Sequence, residues 1–159
     1  MRRTGIGLLV LVCAGAATAL AQQGASATAD EIIAIVKAQW AAEIADPKNM
    51  AAQMKDVAED YTEFDGDYAT RLDGKAMNMR LGEATGSASG KTIASEMANP
   101  KVQVYNGDVA ILTYNYVGVT RDKDGKTEPS RAKSTRVYVK QGGKWVMVHA
   151  NFASDPLPH

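Results

Sequence analysis

The chain has 159 residues, a length that suits one domain. Its 18 basic and 18 acidic side chains cancel, and no Lys/Arg cluster alternates with aromatics, which disfavours a nucleic-acid surface or a membrane-surface helix. The single cysteine, Cys13, leaves no disulfide framework and no thiolate metal site.

The chain opens with a secretory pattern. Arg2 and Arg3 give a positive start, Gly5 to Val12 leads into an apolar, Ala-rich run, and Ala19-Leu20-Ala21 has the A-x-A form of a cleavage site. This predicts a signal peptide over 1–21, export to a bacterial periplasm or beyond, and no membrane attachment after cleavage. A retained anchor is the alternative, but the run is short and rich in small residues beside the roughly 20 apolar residues a span needs. Val12 is not the small residue that lipidation of Cys13 would require. Cleavage leaves a cysteine-free chain with a slight acidic excess.

Residues 22–29 are small and polar and read as a flexible leader. From Asp30 the apolar positions Ile32, Ile33, Val36, Trp40 and Ile44 recur at helical spacing, with Thr28 or Asp30 as cap. Asp46-Pro47 ends this helix and starts a second, with Met50, Met54 and Val57 as its stripe. The two methionines read as core filler. Tyr61 to Tyr68 reads as a strand, Asp73-Gly74 as a turn, Ala76 to Ala84 as a third helix and Gly82 to Gly90 as a loop. Strands follow over Lys91 to Met97 and Lys101 to Tyr105, interrupted at Asn99-Pro100. Asn106-Gly107-Asp108 is a hairpin turn before a long strand, Val109 to Thr120. Asp122 to Pro129 reads as a loop, and Ser130 to Lys140 and Trp145 to Ala153 as the last strands. Gln141-Gly142-Gly143-Lys144 between them is a hairpin signal. Residues 154–159 are a tail in which His159 has no assigned role.

Helices first and strands after predict an α+β domain over 30–153, a curved antiparallel sheet wrapped around the N-terminal helices. Val57-Ala58-Glu59-Asp60-Tyr61, Leu72-Asp73-Gly74-Lys75 and Gly143-Lys144-Trp145-Val146-Met147-Val148-His149 resemble the nuclear transport factor 2-like superfamily. That group includes the SnoaL-like polyketide cyclases and the ketosteroid isomerases. Asn99-Pro100-Lys101-Val102, Thr135-Arg136-Val137 and Gly-Lys-Trp followed by Val-His bring the chain nearest to bacterial relatives of the calcium/calmodulin-dependent protein kinase II association (hub) domain. The resemblance covers Asp30 to about Ala153. It implies a cone-shaped fold with an internal pocket, and homodimers or larger rings formed through the outer sheet face.

Strand alternation then sorts the polar residues. In the last strand Val146, Val148, Ala150 and Phe152 share one face, which the likeness to the isomerases makes the pocket wall. Trp145, Met147, His149 and Asn151 share the other, expected to be the subunit interface. For His149 a catalytic role is the alternative. Arg136 replaces the isomerases' acidic oxyanion donor. The hub domain has arginine here too, where pocket arginines are associated with small carboxylates. A buried guanidinium needs an anion. That anion is a ligand's carboxylate, or it is Glu63, Asp65 or Asp67. Asp65 matches the isomerases' general base, and equally an exposed Asp-Gly-Asp turn. The isomerases' donor tyrosine falls at Trp40, which cannot act as an acid and also fits the core stripe. Tyr114 and Tyr116 share an inward parity. The hub has a further arginine at the position of Tyr116.

No motif for a metal, nucleotide or other cofactor is present, so none is expected. Three readings follow. The first is a pocket for a small organic ligand, with Arg136 as clamp and Tyr114, Tyr116, Tyr138, Trp40 and Phe152 around it. The second is an isomerase, dehydratase or cyclase with Asp65 as base. The third is an oligomerisation module with a filled cone.

Overall fold

A computed structural model of the chain describes residues 12–66, 68–85 and 90–155. The start of the signal pattern, including Arg2, Arg3 and Gly5, lies outside the described residues, as do Asp67 and the tail from Pro156 to His159. So do the side chains of Cys13 and of Ala19-Leu20-Ala21.

The elements are α1 (Val12–Ala45), α2 (Met50–Gln53), β1 (Val57–Asp65), β2 (Leu72–Asp73), α3 (Lys75–Thr85), β3 (Lys91–Tyr105), β4 (Val109–Arg121), β5 (Thr127–Gln141) and β6 (Lys144–Ser154). One sheet runs in the order β2-β1-β6-β5-β4-β3. Every neighbouring pair is antiparallel except β1 with β6, which is parallel, so the sheet is mixed. α1 lies across β3 and β4, and α3 lies against β1.

α1 buries Ile32, Val36 and Trp40 in the core, as its periodicity requires. It does not start at Thr28 or Asp30. It continues back through the expected leader, because Ala-rich sequence is the best helix former. No helix among the described residues is long and apolar enough to cross a membrane. α1 ends before Asp46-Pro47. Asn49 caps α2, its Oδ1 accepting from the Ala52 amide at 3.1 Å. α2 is only four residues long, so the expected second helix shrinks to one turn and Val57 opens β1 instead. The Met50, Met54, Val57 spacing has helical period, but a β-branched residue ahead of Tyr61 satisfies a strand equally well.

Asn99-Pro100 does not split the strand. Asn99 takes a left-handed conformation (φ 52°) and the pairing of β3 with β4 slips between Ala98 and Lys101, so the irregularity stays inside one strand. Both glycine turns fold as hairpins. Gly142 and Gly143 have φ of 57° and 82°, and Asn106 and Gly107 have 52° and 79°.

β6 departs from strict alternation. Its register against β5 shifts between Val137 and Tyr138, leaving Val148 as the extra residue: Met147 pairs with Tyr138 and His149 with Val137. The bulge turns Trp145 and Met147 inward together with Ala150, and all three belong to the core. The expectation that Trp145 and Met147 lie on the outer face is thereby corrected. His149 and Asn151 do lie on the opposite face from Ala150. There the Thr62 Oγ1 and His149 Nδ1 are 2.8 Å apart, and Phe64 meets the imidazole edge-on.

Candidate functional site

The concave side of the sheet carries a cavity of about 570 Å³ that opens to solvent. α1 gives it Gln39, Trp40 and Glu43. β4 gives Tyr114 and Tyr116, β5 gives Arg136, β6 gives Met147 and Phe152, and β1 gives Tyr61, Glu63 and Asp65. The residues of β1 and β4 come in i, i+2 sets, which is how a pleated strand loads one face, while Met147 and Phe152 sit on either side of the β6 bulge.

Arg136 is 4% exposed. Its Nη1 donates to the Gln39 side-chain oxygen and lies 3.9 Å from the Met147 sulfur, and its Nε is buried with no partner. The guanidinium carbon sits 5.7 Å from the Tyr114 ring centre and 5.2 Å from that of Phe152. The ion pairs found among the described residues are all elsewhere. Neither Glu63 nor Asp65 closes on it, and Asp67 lies outside the described residues. Arg136 is therefore a permanent cation on the cavity wall with no carboxylate bound to it among the described residues.

The aromatic members stack into a wall. Trp40 meets Tyr114 and Tyr116 edge-on at 5.7 and 5.4 Å. Tyr116 shares a 3.1 Å hydrogen bond with Ser95 Oγ, and burial pushes its phenol up. Its ring lies over Gly118, where a Cβ would collide with the ring and hydroxyl. Gly118→Ala must displace Tyr116 from Ser95, and is expected to cost about 1–3 kcal/mol in denaturant unfolding, as overpacking does. Trp40, Tyr114, Tyr116, Phe152 and Arg136 thus share one cavity. Tyr138 does not line it. That side chain is 1% exposed and sits beneath, against a separate small void with Ile35 and Val57.

Asp65 is half-buried on the same cavity wall, two residues from Glu63. Glu63 is the residue that sequence reasoning passed over as more than a structural counter-ion. It is 9% exposed. Its Oε2 accepts from the Tyr61 hydroxyl at 2.7 Å and from Asn78 Nδ2 at 3.3 Å. Burial raises the Glu63 pKa and Asp65 raises it further, while the Tyr61 and Asn78 hydrogen bonds and the Arg136 charge pull it down. Tyr61 is pushed far up by burial and by Glu63, so it stays a neutral donor. Parity with Asp65 was the signal available for Glu63.

A raised carboxyl pKa has a definite consequence for stability. The folded state holds the Glu63 proton more tightly than the unfolded chain, whose carboxyl has the ordinary value of 4.5. Stability from this group is complete below that value and is lost as pH rises through the higher folded pKa. Glu63→Gln removes the loss. The melting temperature of the variant minus that of the parent is expected to increase as pH rises from 4 to 8, in a pH series of thermal melts. A flat difference would mean that Glu63 titrates alike in both states.

Among the described residues no group of three or more His, Cys, Asp or Glu is arranged to hold a metal ion. The chemistry on offer is recognition by an arginine and proton transfer by carboxyls, in a partly apolar chamber.

Comparison with known proteins fits this architecture. The model of the calcium/calmodulin dependent protein kinase II association domain family matches residues 28–156. A calcium/calmodulin-dependent protein kinase type II from Caenorhabditis elegans is 28% identical over 64 residues, covering 40% of this chain but only 9% of that protein. The solved association domain of the C. elegans kinase superposes with a TM-score of 0.68 at 19% identity, covering 82% of this chain and 98% of that one. An NTF2-like protein of unknown function from Pseudomonas putida superposes with a TM-score of 0.67 at 22% identity, covering 84% and 89%. At such identities the superpositions establish the fold, and the family match spans all six strands and the C-terminal half of α1. The chain is a member of the calcium/calmodulin dependent protein kinase II association domain family, built on the NTF2-like fold.

Proposed function

We propose that this is an exported, homo-oligomeric domain that binds a small organic molecule in its cone, with Arg136 clamping a carboxylate or carbonyl group. The observation that carries the reading is the buried Arg136 guanidinium on the cavity wall, with Nε unpartnered and no carboxylate bound among the described residues. An arginine matches a carboxylate with two parallel donors. The volume of about 570 Å³ suits a metabolite-sized ligand. An oligomerisation module alone would be expected to fill its cone, so the cavity counts against that reading. Export rests on the signal pattern of residues 1–21. Self-association is supported by family membership, and one structural relative, from S. rosetta, carries the name CaMKII hub.

A thermal-shift screen of the full chain tests it, using small carboxylates, ketones and polycyclic ligands. A ligand at about 100 times its Kd stabilises the folded state by about 2.7 kcal/mol. Carboxylates are expected to raise the melting temperature of the parent and not of Arg136→Ala. No response from any class would overturn the reading.

One observation favours a second reading, proton transfer beside a bound carbonyl. Asp65 faces the same cavity as Arg136 instead of standing out in solvent. Turnover of a carbonyl compound that Asp65→Asn abolishes would establish it.

A further inference from the structure

The cavity is charged in both senses. Arg131 and Arg136 line it, and so do Glu43, Glu63 and Asp65. With every group ionised, three carboxylates face two guanidinium groups. A plain anion gains Arg136 but also meets the carboxylates of β1. A molecule carrying both a carboxylate and an ammonium group is matched at both ends.

Glu63 is placed for the second end. Its Oε2 is taken by Tyr61 and Asn78, whereas its Oε1 has no hydrogen bond among the described residues. No lysine or arginine among the described residues forms an ion pair with it. Glu43 is engaged elsewhere, accepting from Thr92 at 2.8 Å. Two strands away in the same sheet, with Ala150 of β6 paired between them, stands Arg136, itself buried and with Nε unpartnered. One chamber thus keeps a cation and a buried carboxyl that feel each other without pairing. Left alone, such groups would gain by closing on one another. Tyr61 and Asn78 hold the carboxyl, and Gln39 holds the guanidinium, so the separation is built in.

We propose that the cavity takes a small zwitterion, an amino acid or ω-amino acid, with its carboxylate on Arg136 and its ammonium group on Glu63. This rests on the clamp role of Arg136 and adds the class of ligand. A ligand ammonium beside Glu63 would offset the burial that resists its ionisation. Asp65, two residues along the same strand face, adds to the field at that end.

The test is calorimetric titration of the full chain with unbranched amino acids of increasing length, from glycine to aminohexanoate. Each is run beside the acid lacking the ammonium group and the amine lacking the carboxylate. At least one amino acid is expected to bind about tenfold more tightly than its matched acid and amine, a difference of about 1.4 kcal/mol. Glu63→Gln is expected to erase that preference, and Glu63→Asp, which keeps the charge, to retain it. The preference is a ratio of affinities within one variant, so a loss of stability does not imitate its loss. An acid that binds as tightly as its amino acid, or a preference that survives Glu63→Gln, overturns the proposal and leaves the Arg136 clamp standing. Failure of every probe to bind removes both.

Discussion

Arg136→Met is expected to melt at a higher temperature than the parent and to lose any response to carboxylates. Two physical effects compete at this site. Burying a guanidinium costs several kcal/mol even after relaxation. Against this stand a charge-assisted hydrogen bond to Gln39, a hydrogen-bonding contact with the Tyr138 hydroxyl and two ring contacts, with Tyr114 and Phe152. The unpartnered Nε shows that the offset is incomplete. Methionine fills a similar space, adapts to its surroundings and carries no charge. A gain of about 1–2 kcal/mol is expected, within the range seen when buried charges give way to apolar groups. Thermal or denaturant melts check it. A stability gain coupled to a loss of binding marks a residue kept for its ligand. A fall of more than about 1 kcal/mol would instead make Arg136 a prop of the fold.

Trp145→Ala is expected to cost about 3–5 kcal/mol, the usual range for deleting a buried tryptophan. Trp145 is 2% exposed within a single chain, flanked by Met147 and overlain by the Lys140 ammonium 5.0 Å from its ring. Its indole N–H is buried with no partner, so Trp145→Phe loses less than the ring volume alone implies. Paired unfolding and sedimentation measurements separate the inward placement from an interface role. The inward placement predicts a large loss of stability with the oligomer distribution unchanged below the melting transition. Dissociation without loss of protomer stability would put the indole back between subunits.

What the sequence revealed follows from how local the determining physics is. The Gly142-Gly143 and Asn106-Gly107 turns were legible because a positive φ is written into the residue type. The stripe of Ile32, Val36 and Trp40 was legible because a long helix repeats its signal. Arg136 could be placed on the inner face because alternation along β5 is unbroken from Ser134 to Tyr138. The bulge at Val148 was not legible. Trp145, Val146, Met147 and Val148 are all apolar, so neither face is marked and a one-residue slip leaves no trace in the pattern. The reach of α1 through the expected leader was missed for a related reason, since small residues read equally as linker or as helix. Glu63 was hidden by context of another kind. Its burial depends on Tyr61 and Asn78, and Asn78 comes from α3, so only the assembled fold shows that its carboxyl is held inside.

The parallel pairing of β1 with β6 also bears on how the protein reaches its folded state. Val57 pairs with Met147, about 90 positions further along the chain. Closing so long a loop is entropically costly, and contacts of such separation slow folding. Hairpins joining β3 to β4, β4 to β5 and β5 to β6 need only neighbouring sequence. The strand bearing Tyr61, Glu63 and Asp65 can therefore dock only after the last strand has emerged from the ribosome. The chamber is completed at the end of folding, once β1 closes against β6.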